Sequence, residues 1–211
     1  METSGLTIIE QYPQDPVDMF REVLSHVPTG LITMNLATID SELGILNRTL
    51  VYRGLTEGAI TFVTQRNTRK YLNLQENPKL ALTFYFPDLT INDEEVAVTW
   101  QVRLFNATAV ELSPEQTKSL WQQEPLFAKI RTHICECGAP VEPAELKIKH
   151  DRLLQDAQIS ANLPQPDIYC AFAVNTNCWD FYKGEPSKIA DRVQYRRENS
   201  AAPWQVLHVA S

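Results

Sequence analysis

Glycine is scarce in this chain, with seven in 211 residues, and none falls into a phosphate-cradling motif. There is no Gly-x-x-x-x-Gly-Lys-Ser/Thr, no Gly-x-Gly-x-x-Gly, no Gly-x-Ser-x-Gly and no His-Glu-x-x-His. A bound phosphate would therefore have to be held by side chains and a helix N-terminus rather than by a glycine-rich loop. Cysteine is also sparse: Cys135, Cys137, Cys170 and Cys178. The stretch "HICEC" with His133 offers one Cys-x-Cys but no second cluster at ligand spacing, so the cysteines read as reduced and non-ligating, and no metal is expected. The histidines (His26, His133, His150, His208) are scattered and read as structural. Positive charge is in deficit, the formal net charge being -7, which argues against a broad nucleic-acid footprint. No apolar run approaches the roughly 18 residues of a membrane span. The opening "METSGLTIIEQYPQDPVD" lacks the basic-then-apolar pattern of a secretion signal, so the reading expects a cytoplasmic protein without membrane contact.

What is present reads as one domain over 1–211, mainly β with helices (α+β). In 15–27, Asp15 can cap a helix with Pro16 at its first position and an apolar stripe of Val17, Phe20, Val23 and Leu24. Strands are expected over 30–38, 45–54, 58–65 and 79–86, with a short helix over 68–76 and an acidic loop over 87–95. A long alternating strand spans 96–113. A helical excursion covers 113–161: one helix starts at Ser113 and Pro114, another runs over 143–161. Strands at 168–175, 178–184, 192–198 and 204–210 close the chain. Since one short helix alone interrupts the first set of strands, an antiparallel barrel or sandwich fits better than a parallel α/β sheet.

The cations carry the functional signal. In "NTRKYLNLQENPK" (67–79), Arg69 and Lys70 occupy the first helical turn, where the dipole disfavours cations unless an anion such as phosphate completes the site. Two exposed cations there would otherwise mean little, because their cost is small. Arg48 lies inside the apolar strand "NRTLVYRG" and is expected to be paired or to bind something; a strand-edge position with a snorkelling side chain is the alternative. Arg48 and Arg53 are five apart, so they serve one ligand only if the strand bends or Arg53 already lies in the turn at Gly54. Lys188 and Arg192 recur near a C-terminal strand.

Six stretches in order, "DPVDMF", "NRTLVYRG", "ITFVTQRNTRK", "NLQENPKLALTFYF", "WQVRLFNATAVELS" and "FYKGEPSKIADRVQYRRE", with a final "WQVLHVAS", resemble the pyridoxamine/pyridoxine 5′-phosphate oxidases over nearly the whole chain after about residue 13. The resemblance implies an antiparallel FMN-binding split β-barrel with peripheral helices, FMN at the interface of a homodimer, and FMN-dependent oxidoreductase chemistry. It assigns FMN contacts to Arg48, Thr49, Leu50, Val51, Arg53, Val63, Thr64, Arg69, Lys70, Gln101, Tyr182 and Arg192. Arg48, Arg69 and Lys70 would hold the phosphate; Gln101 would reach the flavin ring, and Tyr182 would keep an aromatic plane where the family has tryptophan.

The substrate side departs from the family, which holds the vitamin's phosphate with Lys, Tyr, Arg and Ser and covers its ring with an Arg-x-His. Here the Lys position is Arg53, the Tyr position Leu120 or Trp121, the Arg position Glu124, and the Ser position Ala128 or, with a gap, Thr132. The Arg-x-His becomes Lys188-Ile189-Ala190. The family's Gln-Ser flavin contact finds no place in 132–142, and its N-terminal substrate-covering segment is not expected. Arg53 and Lys188 remain the substrate-binding candidates, and no catalytic residue is assigned. The leading expectation is a flavoprotein with an altered or lost vitamin B6 site. An authentic oxidase making pyridoxal phosphate, with Arg53, Lys188 and Arg131 on the substrate phosphate, and a non-catalytic flavin- or pyridoxal-phosphate-binding protein are the alternatives.

Overall fold

The structure is a computed structural model, and it describes residues 4–90, 97–160 and 163–211. Along the chain the strands are β1 (Gly5–Leu6), β2 (Thr33–Asp40), β3 (Gly44–Val51), β4 (Leu55–Thr56), β5 (Ala59–Gln65), β6 (Lys79–Thr90), β7 (Ala97–Glu111), β8 (Tyr169–Asn175), β9 (Cys178–Gly184), β10 (Lys188–Ile189), β11 (Asp191–Arg196) and β12 (Gln205–His208). The helices are α1 (Pro16–Ser25), α2 (Arg69–Glu76), α3 (Pro114–Gln123), α4 (Leu126–Ile134) and α5 (Pro143–Ser160). Among the described residues no helix is long and apolar enough to cross a membrane.

Ten strands form one antiparallel sheet in the order β12-β11-β9-β7-β6-β2-β3, with β8 and β5 attached through β7 and β4 hairpinned on β5. The sheet curls into a half-barrel because β7, paired with β6 along one edge, serves two partners in turn along the other. Thr99–Leu104 pair with β9, then Thr108–Glu111 pair with β8. The change of partner falls around Asn106, whose φ of 45° breaks the extended run, and a side-chain amide tolerates that conformation better than most residues. The inner face is a continuous core. Phe20 of α1 is fully buried against Phe84, Trp179 and Tyr52, and Phe181 stacks on Trp179 and meets Tyr195 edge to face. Alternation along β2 and β6 places Met34, Leu36, Leu82 and Phe84 on this face.

Several expected boundaries move. Pro87–Thr90, expected in the acidic loop, instead continue β6 through a register shift between Phe86 and Leu89, with Asp88 at φ 52°, so a bulge absorbs a proline that cannot donate to the ladder. Residues 91–95 of that loop, Val96 of the next strand and Ala161 of the last expected helix lie outside the described residues. β2 starts at Thr33 rather than at Gly30. The helix opening at Ser113 is two helices, because Glu124 and Pro125 are both extended, and Pro125 starts α4. β3 stops at Val51, leaving Arg53 beside Gly54, which turns the chain at φ 95°. The two-residue parallel pair β1–β10 has no periodicity to read and was not expected.

Candidate functional site: a cationic cleft and a cross-strand row

A cleft of about 330 Å³ opens between the ends of β3 and β5, the start of α2, the end of α4 and Tyr169 of β8. It gathers Thr49, Leu50, Val51, Arg53, Val63, Thr64 and Lys70 from the expected set, and adds Gln65, Thr68, Arg131, Thr132, Cys135, Cys137 and Tyr169. Leu50, Val51 and Val63 give it an apolar wall, while Thr64, Thr68 and Lys70 make one polar end.

That polar end is set by the start of α2. Thr68 caps the helix, its hydroxyl lying against the Tyr71 N–H and donating to the Gln65 carbonyl at 2.8 Å. Thr64 Oγ1 lies 3.0 Å from Thr68 Oγ1 and 3.3 Å from the Lys70 ammonium. Burial lowers the Lys70 pKa, and the neighbouring cations Arg48 and Arg131 push it the same way, against the Cys137 and Cys170 thiols. Among the described residues none of Lys70, Arg48 and Arg131 is ion-paired. Lys70, within electrostatic reach of both Arg48 and Arg131 and paired with no carboxylate among the described residues, forms a site for an anion.

Arg48 does not line the cleft: its Nη1 donates to Thr38 Oγ1 at 2.7 Å and to the Leu36 carbonyl at 3.2 Å, so β2 holds it. Arg69 is also outside the cleft lining. Its guanidinium is bidentate on Asp40 (2.7 and 3.2 Å) and meets Glu42 at 2.8 Å. That hydrogen bond, together with the Leu43 and Glu42 N–H groups, holds the Asp40 carboxyl well below the usual carboxylate range. The adjacent cations of the 67–79 stretch thus have different surroundings: Lys70 faces the cleft and Arg69 faces two acids.

At the other end of the cleft, Arg53 is bidentate on Glu124, with Nε–Oε1 at 2.8 Å and Nη2–Oε2 at 2.7 Å. Tyr169 O–H donates to the same Glu124 Oε1 at 3.2 Å. Burial, then the Glu124 charge, raises the Tyr169 pKa far above its ordinary value, so the phenol keeps its proton. Lys188 sits on β10 outside the cleft lining, with its ammonium 2.5 Å from Glu185.

Gln101, Tyr182 and Arg192 are not in the cleft lining, but they are brought together with one another. Gln101 of β7 is directly opposite Tyr182 of β9, which is directly opposite Arg192 of β11. Directly opposed residues share a face, so the three form one half-exposed row. The Tyr182 ring lies over Gly184, where an added Cβ would stand 3.2 Å from its Cε1. Asp180, fully buried, anchors the row: Oδ1 accepts from Arg103 Nε and Nη2 at 3.0 and 2.7 Å, and Oδ2 accepts from Arg192 Nε at 2.6 Å and Gln194 Nε2 at 2.5 Å.

Tyr169 was missed as a site residue. The signal available was its register: it opens β8 directly opposite Gln65, at the strand end that also carries Thr64. Thr132 lines the cleft, whereas Trp121 is buried and spends its indole N–H on the Leu163 carbonyl at 3.0 Å.

No protein-family model matches the chain. Curated sequences do. It is 28% identical over 202 residues to the pyridoxine/pyridoxamine 5′-phosphate oxidase of Deinococcus deserti, covering 91% of this chain and 87% of that protein. It is 28% identical over 190 residues to the enzyme of the same name from Haemophilus influenzae, covering 88% and 85%. Among solved structures, PhzG from Burkholderia lata 383, determined with tetrahydrophenazine-1-carboxylic acid, superposes with a TM-score of 0.78 at 16% identity, covering 98% of this chain and 100% of that one. A pyridoxamine 5′-phosphate oxidase-related, FMN-binding protein from Nostoc punctiforme gives 0.63 at 18% identity, covering 96% and 99%. The fold is therefore that of the pyridoxamine 5′-phosphate oxidase-like split barrels. The chain itself is a relative, over most of its length, of the pyridoxine/pyridoxamine 5′-phosphate oxidases.

Proposed function

We propose that the chain is an FMN-binding, cytoplasmic flavoprotein and an oxidoreductase whose vitamin B6 site is altered. The observation that carries this reading is the anion site at Lys70, flanked by Arg48 and Arg131 and continuous with the apolar wall of the cleft. The donor set suits FMN: a cation and two hydroxyls for the phosphate, Leu50, Val51 and Val63 for the flat ring. FMN, when bound, supplies hydride and electron transfer; the chain binds and orients it. Gln101, Tyr182 and Arg192 form a second surface with an amide, an aromatic plane and a cation, and they are not part of the cleft. In the reading proposed here the row of one chain closes over the cleft of a second, making a homodimer with composite flavin sites. The capture of Arg53 by Glu124 favours an altered substrate site over an authentic oxidase.

The test is titration of the purified protein with FMN, followed by the visible flavin band and by quenching of free-flavin fluorescence. Saturable binding of one FMN per chain is expected; no binding overturns the reading. A pH series adds a second check. Because the Lys70 ammonium loses its proton at lower pH than an ordinary lysine, FMN affinity should begin to fall below the usual lysine range near pH 10.4. The sign follows from the charge: the cation that holds phosphate is present below its pKa and lost above it. In Lys70→Arg the alkaline fall should vanish.

A further inference from the structure

The end of the cleft opposite Lys70 is backed by a side chain that works against phosphate. Glu124 is 7% exposed and lies behind the cleft lining, not in it, yet it is not a stray buried charge: among the described residues its side-chain hydrogen bonds go to Arg53 and Tyr169, which do line the cleft. The bidentate pair cancels the Arg53 charge in place, and the Tyr169 hydroxyl, kept protonated, fixes the carboxylate's orientation. Arg53 has five N–H donors, and its bonds to Glu124 use Nε and Nη2, so it still offers donors to a ligand. What it no longer offers is net positive charge.

We propose that Glu124 is the specificity-determining residue of this cleft, and that the Arg53–Glu124–Tyr169 cluster selects a flat substrate presenting an uncharged acceptor, such as a carbonyl or ring nitrogen, and rejects a phosphate ester. A phosphate dianion at this wall would meet an Arg53 whose charge is already cancelled by the Glu124 carboxylate behind it, so the net attraction needed to offset the dianion's desolvation is missing. A neutral acceptor meets the remaining guanidinium N–H groups at a much smaller desolvation cost. The inference rests on the flavin reading for the position of the substrate, but the selector itself is a property of Arg53, Glu124 and Tyr169.

The experiment is isothermal titration of the FMN-loaded protein, whose Lys70 site is filled, and in parallel of Lys70→Ala protein without added FMN, in which that anion site is removed, with pyridoxamine and pyridoxamine 5′-phosphate, which differ only in the phosphate. Wild type should bind the ester no better than the unphosphorylated amine. Glu124→Gln, which keeps the shape and removes the charge, should gain about 10-fold or more in affinity for the ester while the amine changes little. Tyr169→Phe, which leaves both charges, should keep the wild-type preference. Tighter binding of the ester than of the amine by the FMN-loaded wild type, or by the Lys70→Ala protein without FMN, overturns the proposal, and so does a Glu124→Gln protein that gains no affinity for the ester on the same background. The FMN titration is read separately: failure there removes the flavin reading whatever the ester does, whereas ester preference in a flavin-loaded protein removes the selector alone.

Discussion

Lys70→Ala protein should purify without flavin and bind added FMN about 10- to 100-fold more weakly than wild type, with its fold retained. The estimate comes from one charge-assisted contact to phosphate, about 1.5–3 kcal/mol. Lys70 is the cleft-facing cation of the adjacent pair, and its one side-chain hydrogen bond among the described residues is a long one, 3.3 Å to Thr64 Oγ1. Little native structure is lost with it. Arg69→Ala should behave differently. Its guanidinium neutralises Asp40, a nearly buried carboxylate, so its removal should lower stability while FMN binding falls less. A pH series on wild type should show the same linkage. The Asp40 pKa is depressed in the folded state, so its contribution is present above the ordinary carboxylate range and lost as pH falls through its folded pKa. Paired FMN titrations and urea midpoints of the two single variants separate these roles. If Arg69→Ala loses FMN more completely than Lys70→Ala, the division of labour drawn from the geometry is wrong.

Asp180→Ala should be the most damaging single change to the row. The carboxylate is fully buried and takes four hydrogen bonds from Arg103, Arg192 and Gln194. Removing it leaves two arginines facing each other across β9 without a counter-charge, a loss of about 3–5 kcal/mol. The drop should be read as a lower midpoint in urea at unchanged m-value. Arg192 would also lose the contact that fixes its head beside Tyr182, so FMN binding should weaken in the protein that remains folded. Arg103→Met with Asp180→Leu, which removes one of the two arginines along with the carboxylate and leaves Arg192 without its counter-charge, should recover only part of the stability and none of the flavin affinity. A stable Asp180→Ala protein would show that the two arginines find other partners.

Much of this was readable from local pattern. The start of α1 follows from Asp15 and Pro16, that of α3 from the Ser113–Gln116 capping box, and the end of α2 from Asn77 ahead of Pro78. Seven expected site residues converge on one cleft because they sit at the ends of two neighbouring strands and at the next helix start, positions that turn residues mark in the sequence. What local pattern could not supply was pairing. Nothing in the residues around Arg69 says that Asp40, 29 positions earlier, will hold it. Nothing near Arg53 points to Glu124, 71 positions later, beyond the mismatch with the family pattern. The bulge at Pro87–Asp88 and the partner change of β7 were hidden for the same reason: they depend on which strands lie alongside, and a single strand's alternation is silent on that.

The cleft and the Gln101–Tyr182–Arg192 row occupy different parts of one chain and have no lining residue in common. In the composite site proposed above, cofactor capture and chain association are then a single linked equilibrium rather than two separate events. Dilution should loosen the flavin even at constant FMN concentration, and excess FMN should drive the chains together. A cell would thereby adjust how much of this protein is loaded by how much of it is made.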